Sequence, residues 1–583
     1  MLIAKVIPFL VAFLGIVLLA IYLWDKVPGK DVLTKGFAAS TFALACWICL
    51  FYLAALFKLP AKWALSLACI FLLAYAFKSG FKKPRLAKTD WLLIGVCSLP
   101  YFSGYVFSQM LPGCDIAMHG YVTRLIMEQQ GLPGTYNPLL PVEQFGSYSA
   151  GFHFISATCA MFNPDWLMEG LSIATAISYL VAICGLAFFL TLFASARTAF
   201  VVAMVVFWFH RSLQYVVNWG GTPSVLSLGL VFCAIAFIGY ALRERSYLFF
   251  IMGTVSWCSA VLTHLIPAYT GLYLCVGLVG YWIWLFRPSW IFLVKTLGIA
   301  ALVASICLMP FVLRMDGNTS PELSKMIWNW QHRMMNYVGG GDFFTNAFHL
   351  LGELKFGLSD LTVIAASICL MWMLFRKRFH GLGMVLGIAL LLFVLIINTG
   401  YWVLPLSELL YPERVMYFYV VPMGIWICLM VEDMKVYFSV RRKVVITSLG
   451  AIALVVALYN CWDRYLDGII DSKRNYDSAM REGFEWIGKH TASDAVIHVA
   501  YNTEGMWVPA LSYRATNGTH LHFIHLVDSI GQKMYLAEVD HYRLRLKGGL
   551  DSKDTIDTLA YLNELVFQNP SMEIFLTRKG PDQ

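Results

Sequence analysis

Asp115 and His119 stand four residues apart in Cys114-Asp-Ile-Ala-Met-His119. That spacing puts two side chains on one helical face. An imidazole there can orient a carboxylate, share a metal with it or help to bind a substrate. Following Pro112-Gly113-Cys114, Asp115 can equally serve as a helix cap. A second group is Glu413-Arg414 in Tyr411-Pro-Glu-Arg-Val-Met-Tyr417. An arginine fork matches phosphate bidentately, and the same Glu-Arg step can be an ion pair snorkelling at a span end. His264, in Leu262-Thr-His-Leu-Ile-Pro267, reads as a phosphate partner or as a satisfied histidine at a helix end. Arg124, His153, the Trp219-Gly220-Gly221 link and Arg333 are further substrate-binding candidates; for His153 and Arg333 a structural role is the simpler reading. Ionisable residues at the ends of membrane spans are costly to bury and are often functional.

The elements that must hold these residues are almost all apolar. Of 583 residues, 59% are hydrophobic and 13% charged, against about 25% charged in soluble proteins. Apolar runs of the roughly 17–25 residues that cross a bilayer recur at 5–24, 37–57, 61–78, 91–110, 168–195, 198–217, 224–242, 247–265, 267–286, 290–313, 359–376, 382–398, 413–432 and 444–462. Continuous runs without alternation select helices over a barrel. The expected fold class is mostly α: a polytopic helical membrane protein of about fourteen transmembrane helices. The first run lacks a cleavage site and reads as a retained anchor. Lys and Arg gather in alternate loops (78–88, 376–378, 441–443), which marks those loops as cytoplasmic. Both termini and all the candidate residues then lie outside the cytoplasm. Parity makes the short apolar segment 151–162 interfacial or re-entrant.

Two domains are expected. Residues 1–462 form the membrane part, with outer loops at 111–167 and 314–358, and 463–583 form a soluble extracytoplasmic α/β domain. The pattern of Ile116, Tyr121, Val122, Leu125 and Ile126 suits a helix lying on the membrane surface. The 314–358 loop is aromatic and amphipathic with a triglycine hinge, as in a mobile lid. In the tail, Ser478–His490 and 555–567 read as helices, 495–501 and 572–577 as strands. The tail carries 13 Lys+Arg against 17 Asp+Glu (−4) and the rest 30 against 18 (+12). The positive excess is therefore topological and points to no nucleic acid. The fourteen cysteines avoid the tail and form neither a disulfide framework nor a CxxC zinc pattern.

The chain resembles the GT-C superfamily of polytopic glycosyltransferases, which use polyprenyl-phosphate-linked sugars. The resemblance rests on Asp115 opening the first long loop, on Gly131-Leu-Pro-Gly-Thr-Tyr-Asn-Pro138 followed by Tyr148-Ser-Ala-Gly-Phe-His153, on Glu413-Arg414 before a late span, and on a terminal domain carrying Gly505-Met-Trp-Val-Pro509. It implies an inverting transfer, with Asp115 as general base and Arg414, His264 and Glu413 at the donor phosphate. His119, Arg124, His153, Trp219, Arg333 and Trp507 would line the substrates. The implied partners are a lipid-linked sugar donor, membrane lipid, and a glycan, lipid or protein acceptor. The implied location is a prokaryotic cytoplasmic membrane. Asp115-Ile-Ala117 departs from the paired acids of some members, so no cofactor is assigned and a divalent metal (Mg or Mn) is not favoured. Three spans precede the one before Asp115, whereas the family's acidic loop usually follows the first. A glycolipid transporter or flippase, or a non-catalytic scaffold, are the alternative readings.

Overall fold

The computed structural model describes residues 14–79, 86–107, 111, 114–136, 148–161, 163–314, 367–368, 371–376, 379–401, 412–437, 440–473, 478–499, 507–516, 539–546 and 564–577. Arg333 and the rest of the expected lid beyond Arg314 lie outside these residues. In chain order the helices are α1 Leu14–Leu23, α2 Val32–Leu56, α3 Ala61–Ser79, α4 Lys88–Phe107, α5 Cys114–Gln129, α6 Gly151–Ala160, α7 Leu167–Leu190, α8 Ala196–Phe209 and α9 Arg211–Trp219. Then come α10 Thr222–Glu244, α11 Tyr247–Thr263, α12 Leu265–Phe286, α13 Trp290–Val312, α14 Phe379–Tyr401, α15 Pro412–Met416, α16 Val420–Tyr437, α17 Val440–Lys473 and α18 Ser478–His490.

The chain is a multi-pass helical membrane protein. Among the described residues, six helical stretches are long and apolar enough to cross a membrane: α2, α7, α10, α12, α13 and Arg414–Tyr437. Other apolar helices, α8 and α11 among them, are shorter. The centre of the bundle is α10, whose most apolar window is wholly buried, as a helix apolar all round must be. Pro223 stands in its first turn and Arg243 in its last, matching the helix's ends in geometry and dipole. Against it runs α7, at a glycine crossing. A Cβ on Gly229 would come within 2.7 Å of the Ala182 backbone. Small residues let helix backbones approach where lipid offers no hydrophobic drive. Ser259 on α11 donates to the Ala45 carbonyl of α2 at 2.7 Å. At the edge, α13 exposes Trp290, Ile291, Leu297 and Leu302, a face suited to lipid.

Two of the expected membrane elements come out differently. The span over 198–217 is two helices, broken at His210, whose backbone is extended (ψ 99). Segment 151–162, expected to be interfacial or re-entrant, holds the buried helix α6; its ten residues reach about 15 Å, half a bilayer core, too short to cross. The helix expected on the membrane surface is α5, and it is interior: every residue from Ile116 to Thr123 is buried. Amphipathicity shows only that one face is apolar. Here α6 and α7 cover one side, and a short turn of the tail, Val508–Ser512, covers another. In addition, α17 runs unbroken through residue 463 to Lys473.

In the tail, α18 buries Met480, Gly483, Phe484 and Ile487, the three-and-four spacing of a one-sided helix. It packs on a five-stranded mixed sheet ordered β2-β1-β3-β5-β4. The strands are β1 Val496–Val499, β2 Ala515–Thr516, β3 His541–Leu546, β4 Glu564–Gln568 and β5 Met572–Thr577. The pairs β1–β2 and β1–β3 are parallel, β3–β5 and β4–β5 antiparallel. The helix expected over 555–567 is corrected at its end, where 564–568 is a strand pairing with β5 through a bulge at Leu565/Phe567. Leu565-Val-Phe567 prefers a pleated, half-buried surface, and Phe567 meets Trp486 at 5.1 Å between ring centres.

Candidate active site

Asp115 is half-buried in the first turn of α5, where the helix dipole favours a carboxylate. The chain pressed against that turn is the end of α9. Gly220 closes α9 in the left-handed region (φ 91). A Cβ there would lie 2.5 Å from the Ile116 nitrogen and 3.2 Å from the Asp115 Cβ. Only glycine suits both the conformation and the approach. Its neighbour Trp219 carries the Arg414 guanidinium 4.2 Å from its ring, a cation–π distance. Arg414 Nη1 donates to the Tyr417 hydroxyl at 2.6 Å. Among the described residues Arg414 has no carboxylate partner; the Glu413 side chain lies outside them. Asp115, Trp219 and Arg414, chosen from separate stretches of sequence, are thus joined through one turn.

One helical turn beyond Asp115 is a pair of imidazoles. His119 Nδ1 and His153 Nε2 are 3.0 Å apart, so one nitrogen donates and the other accepts. His153 is fully buried. Burial first, then His119, holds its pKa well below the usual histidine range, and His264 pushes the same way. Burial thus disfavours a charged His153. The Tyr148 ring lies 5.4 Å from that of His153. Burial, then Tyr136 and then Asp115, raises the Tyr148 hydroxyl's pKa, so the carboxylate is within electrostatic reach of the tyrosine. The loop here is pinned to the bundle: Ala150 N–H donates to Tyr52 Oη at 2.6 Å and Ser149 Oγ to the Val261 carbonyl at 3.0 Å. His264 sits at the break between α11 and α12, its carbonyl accepting from Ser227 Oγ at 2.9 Å.

Two candidates lie elsewhere. Arg124 pairs with Glu128 at 2.8 Å and reaches over the Tyr513 ring of the tail at 5.1 Å. Trp507 is fully buried, packed so closely on α5 that a Cβ on Gly120 would come 3.3 Å from its ring. Both are at the seam between α5 and the tail. The residue that sequence reasoning missed is His210. Its Nδ1 accepts from the Leu213 N–H at 3.4 Å, which leaves Nε2 to donate to the Met416 carbonyl at 3.0 Å. The only signal was a lone histidine within an apolar run. Among the described residues no group of three or more His, Cys, Asp or Glu is set to hold a metal ion.

No family profile and no curated protein sequence matches the chain. Solved structures do. ArnT from Cupriavidus metallidurans bound to undecaprenyl phosphate aligns with a TM-score of 0.58 at 12% identity, over 85% of this chain and 100% of that one. Its apo state aligns at 0.55 and 13%, over 84% and 98%. The chain shares the fold of ArnT. An Archaeoglobus fulgidus oligosaccharyltransferase also aligns, at 0.43 and 11% identity over 80% of this chain and 70% of that one.

Proposed function

We propose that this protein is a GT-C-type glycosyltransferase. It moves a sugar, with inversion, from a polyprenyl-phosphate-linked donor to an acceptor hydroxyl on the extracytoplasmic face of a cytoplasmic membrane. The fold it shares with ArnT, whose structure holds undecaprenyl phosphate, supports the donor class. The observation that carries the site is the contact chain Asp115–Gly220–Trp219–Arg414, which couples a half-buried carboxylate to an arginine without a carboxylate partner among the described residues. Asp115 takes the acceptor's proton as the acceptor atom attacks the anomeric carbon. The bond from that carbon to the phosphate oxygen breaks on the opposite face. The lipid phosphate leaves with the bonding electrons, and Arg414 meets the charge as it develops. A glycan, a lipid or a protein can supply the acceptor. No step needs a metal.

The test is transfer from a polyprenyl-phosphate sugar by the purified chain and by Asp115→Asn and Arg414→Ala. Loss of a general base costs roughly 10²–10⁴ in rate, and loss of a charge-stabilising donor about 10²–10³. A folded Asp115→Asn protein with full activity removes Asp115 as the base. Lipid-linked sugar crossing the bilayer without transfer would instead make the protein a flippase.

A further inference from the structure

The helix α9 is nine residues long and is held at both ends by the two halves of the site. At its start, His210 spans two elements. Its Nδ1 caps α9 and its Nε2 holds the carbonyl of Met416, two residues after Arg414. At its end, Gly220 abuts the first turn of α5 beneath Asp115, and Trp219 stacks on Arg414. Gly221 has a separate role. A Cβ there would fall inside the Trp219 indole, so the ring folds back over this glycine. The two glycines are therefore not interchangeable: Gly220 makes room for α5, and Gly221 makes room for the indole. One face of α9, with Leu213, Gln214, Val216 and Val217, is buried, and Gln214 Nε2 donates to the Phe207 carbonyl at 2.9 Å. Asn460 of α17 donates to the Trp208 carbonyl at 2.9 Å. The helix is held along its buried face, and the end of α8 that leads into it is held by α17.

We propose that α9 is a rigid spacer that sets the separation of the Asp115 carboxylate from the Arg414 guanidinium, with His210 as the positioning residue at the arginine end. The inference rests on the glycosyltransferase reading and adds a residue to it. A base and a leaving-group arginine on separate helices can act together only if their spacing is held while donor and acceptor occupy the gap. His210 touches neither substrate. It fixes the Met416 carbonyl and so the turn from which Arg414 reaches the indole. Gly221 fixes the indole on which Arg414 lies.

The experiment uses the full-length protein with undecaprenyl phosphate as the binding probe and sugar transfer as the second readout. His210→Asn keeps an oxygen that can cap Leu213 but is too short to reach Met416. It is expected to weaken undecaprenyl phosphate binding and lower kcat, each about tenfold, the scale of one lost buried hydrogen bond, with the acceptor KM unchanged. His210→Gln, whose amide N–H is long enough for the Met416 carbonyl, is expected to recover most of both. Gly221→Ala, which displaces the indole and leaves the α9 cap intact, is expected to give the same split. A general loss of packing would move acceptor KM too and would not be rescued by Gln. Wild-type binding and kcat in both His210→Asn and Gly221→Ala, alongside an inactive Asp115→Asn, would overturn the spacer and leave the glycosyltransferase reading standing. A fully active Asp115→Asn would remove Asp115 as the base and overturn the spacer with it, while sugar transfer itself would still stand.

Discussion

Gly220→Ala should separate activity from stability more sharply than any other single change. Two effects add. The backbone at Gly220 has φ 91, and an alanine held in the left-handed region costs about 1–2 kcal/mol. The new Cβ would also stand 2.5 Å from the Ile116 nitrogen. Ordinary contact begins near 3.4 Å, so the first turn of α5 or the turn of α9 must give by roughly 0.9 Å, the difference of these two distances. The partner is backbone, so no flexible side chain can absorb the movement. Asp115 rides on that turn. A displacement of about 1 Å in a reacting group costs on the order of 10²-fold in rate. The expected result is a loss of stability larger than the about 1–2 kcal/mol of the left-handed backbone alone, with a fall in kcat on the order of 10²-fold. Transfer from a polyprenyl-phosphate sugar, measured beside a thermal unfolding curve, reads both. Gly280→Ala is the control, because a Cβ at Gly280 on α12 meets nothing within 4 Å. If Gly220→Ala folds normally and matches the wild-type kcat, the close approach does not position the base.

Gly229→Val should destabilise the bundle by at least the 1–3 kcal/mol or so typical of overpacking, since the nearest atoms belong to the α7 backbone; an unchanged melting temperature in detergent would count against the crossing. Trp507→Ala should cost about 3–5 kcal/mol and loosen the tail from α5, seen as faster proteolysis of the tail while the membrane core stays intact. His498 in β1 has its pKa lowered from 6.5 to about 4, by burial first and then by the charges of His541 and Arg543. The unfolded chain therefore binds that proton more readily, and the contribution to stability, complete above about pH 6.5, is lost as pH falls toward 4. His498→Asn should flatten the pH dependence of tail unfolding across that window; a slope as steep as wild type would exclude His498 as its source.

Local pattern was enough for the helices and for part of the tail. Long apolar runs determined a polytopic helical protein, because backbone in lipid must satisfy its own hydrogen bonds. The spacing of Met480, Gly483, Phe484 and Ile487 determined α18, and the short run 572–577 determined β5. Asp115 and Arg414 were legible as isolated charged residues next to span ends. Their relation was not. The break at His210 depends on a carbonyl 206 residues away, and no local period encodes it. The interior place of α5 depends on the tail folding over it, and the strand at 564–568 on β5 being there to pair. Gly220 is one glycine among 44 until α5 lies against it. Sequence determined which residues could do chemistry, because side-chain type and periodicity are local properties. Only the tertiary structure decided which of them lie at one place, because the contacts from Asp115 to Gly220 and from Trp219 to Arg414 join residues far apart in the chain and exist only once the helices have packed.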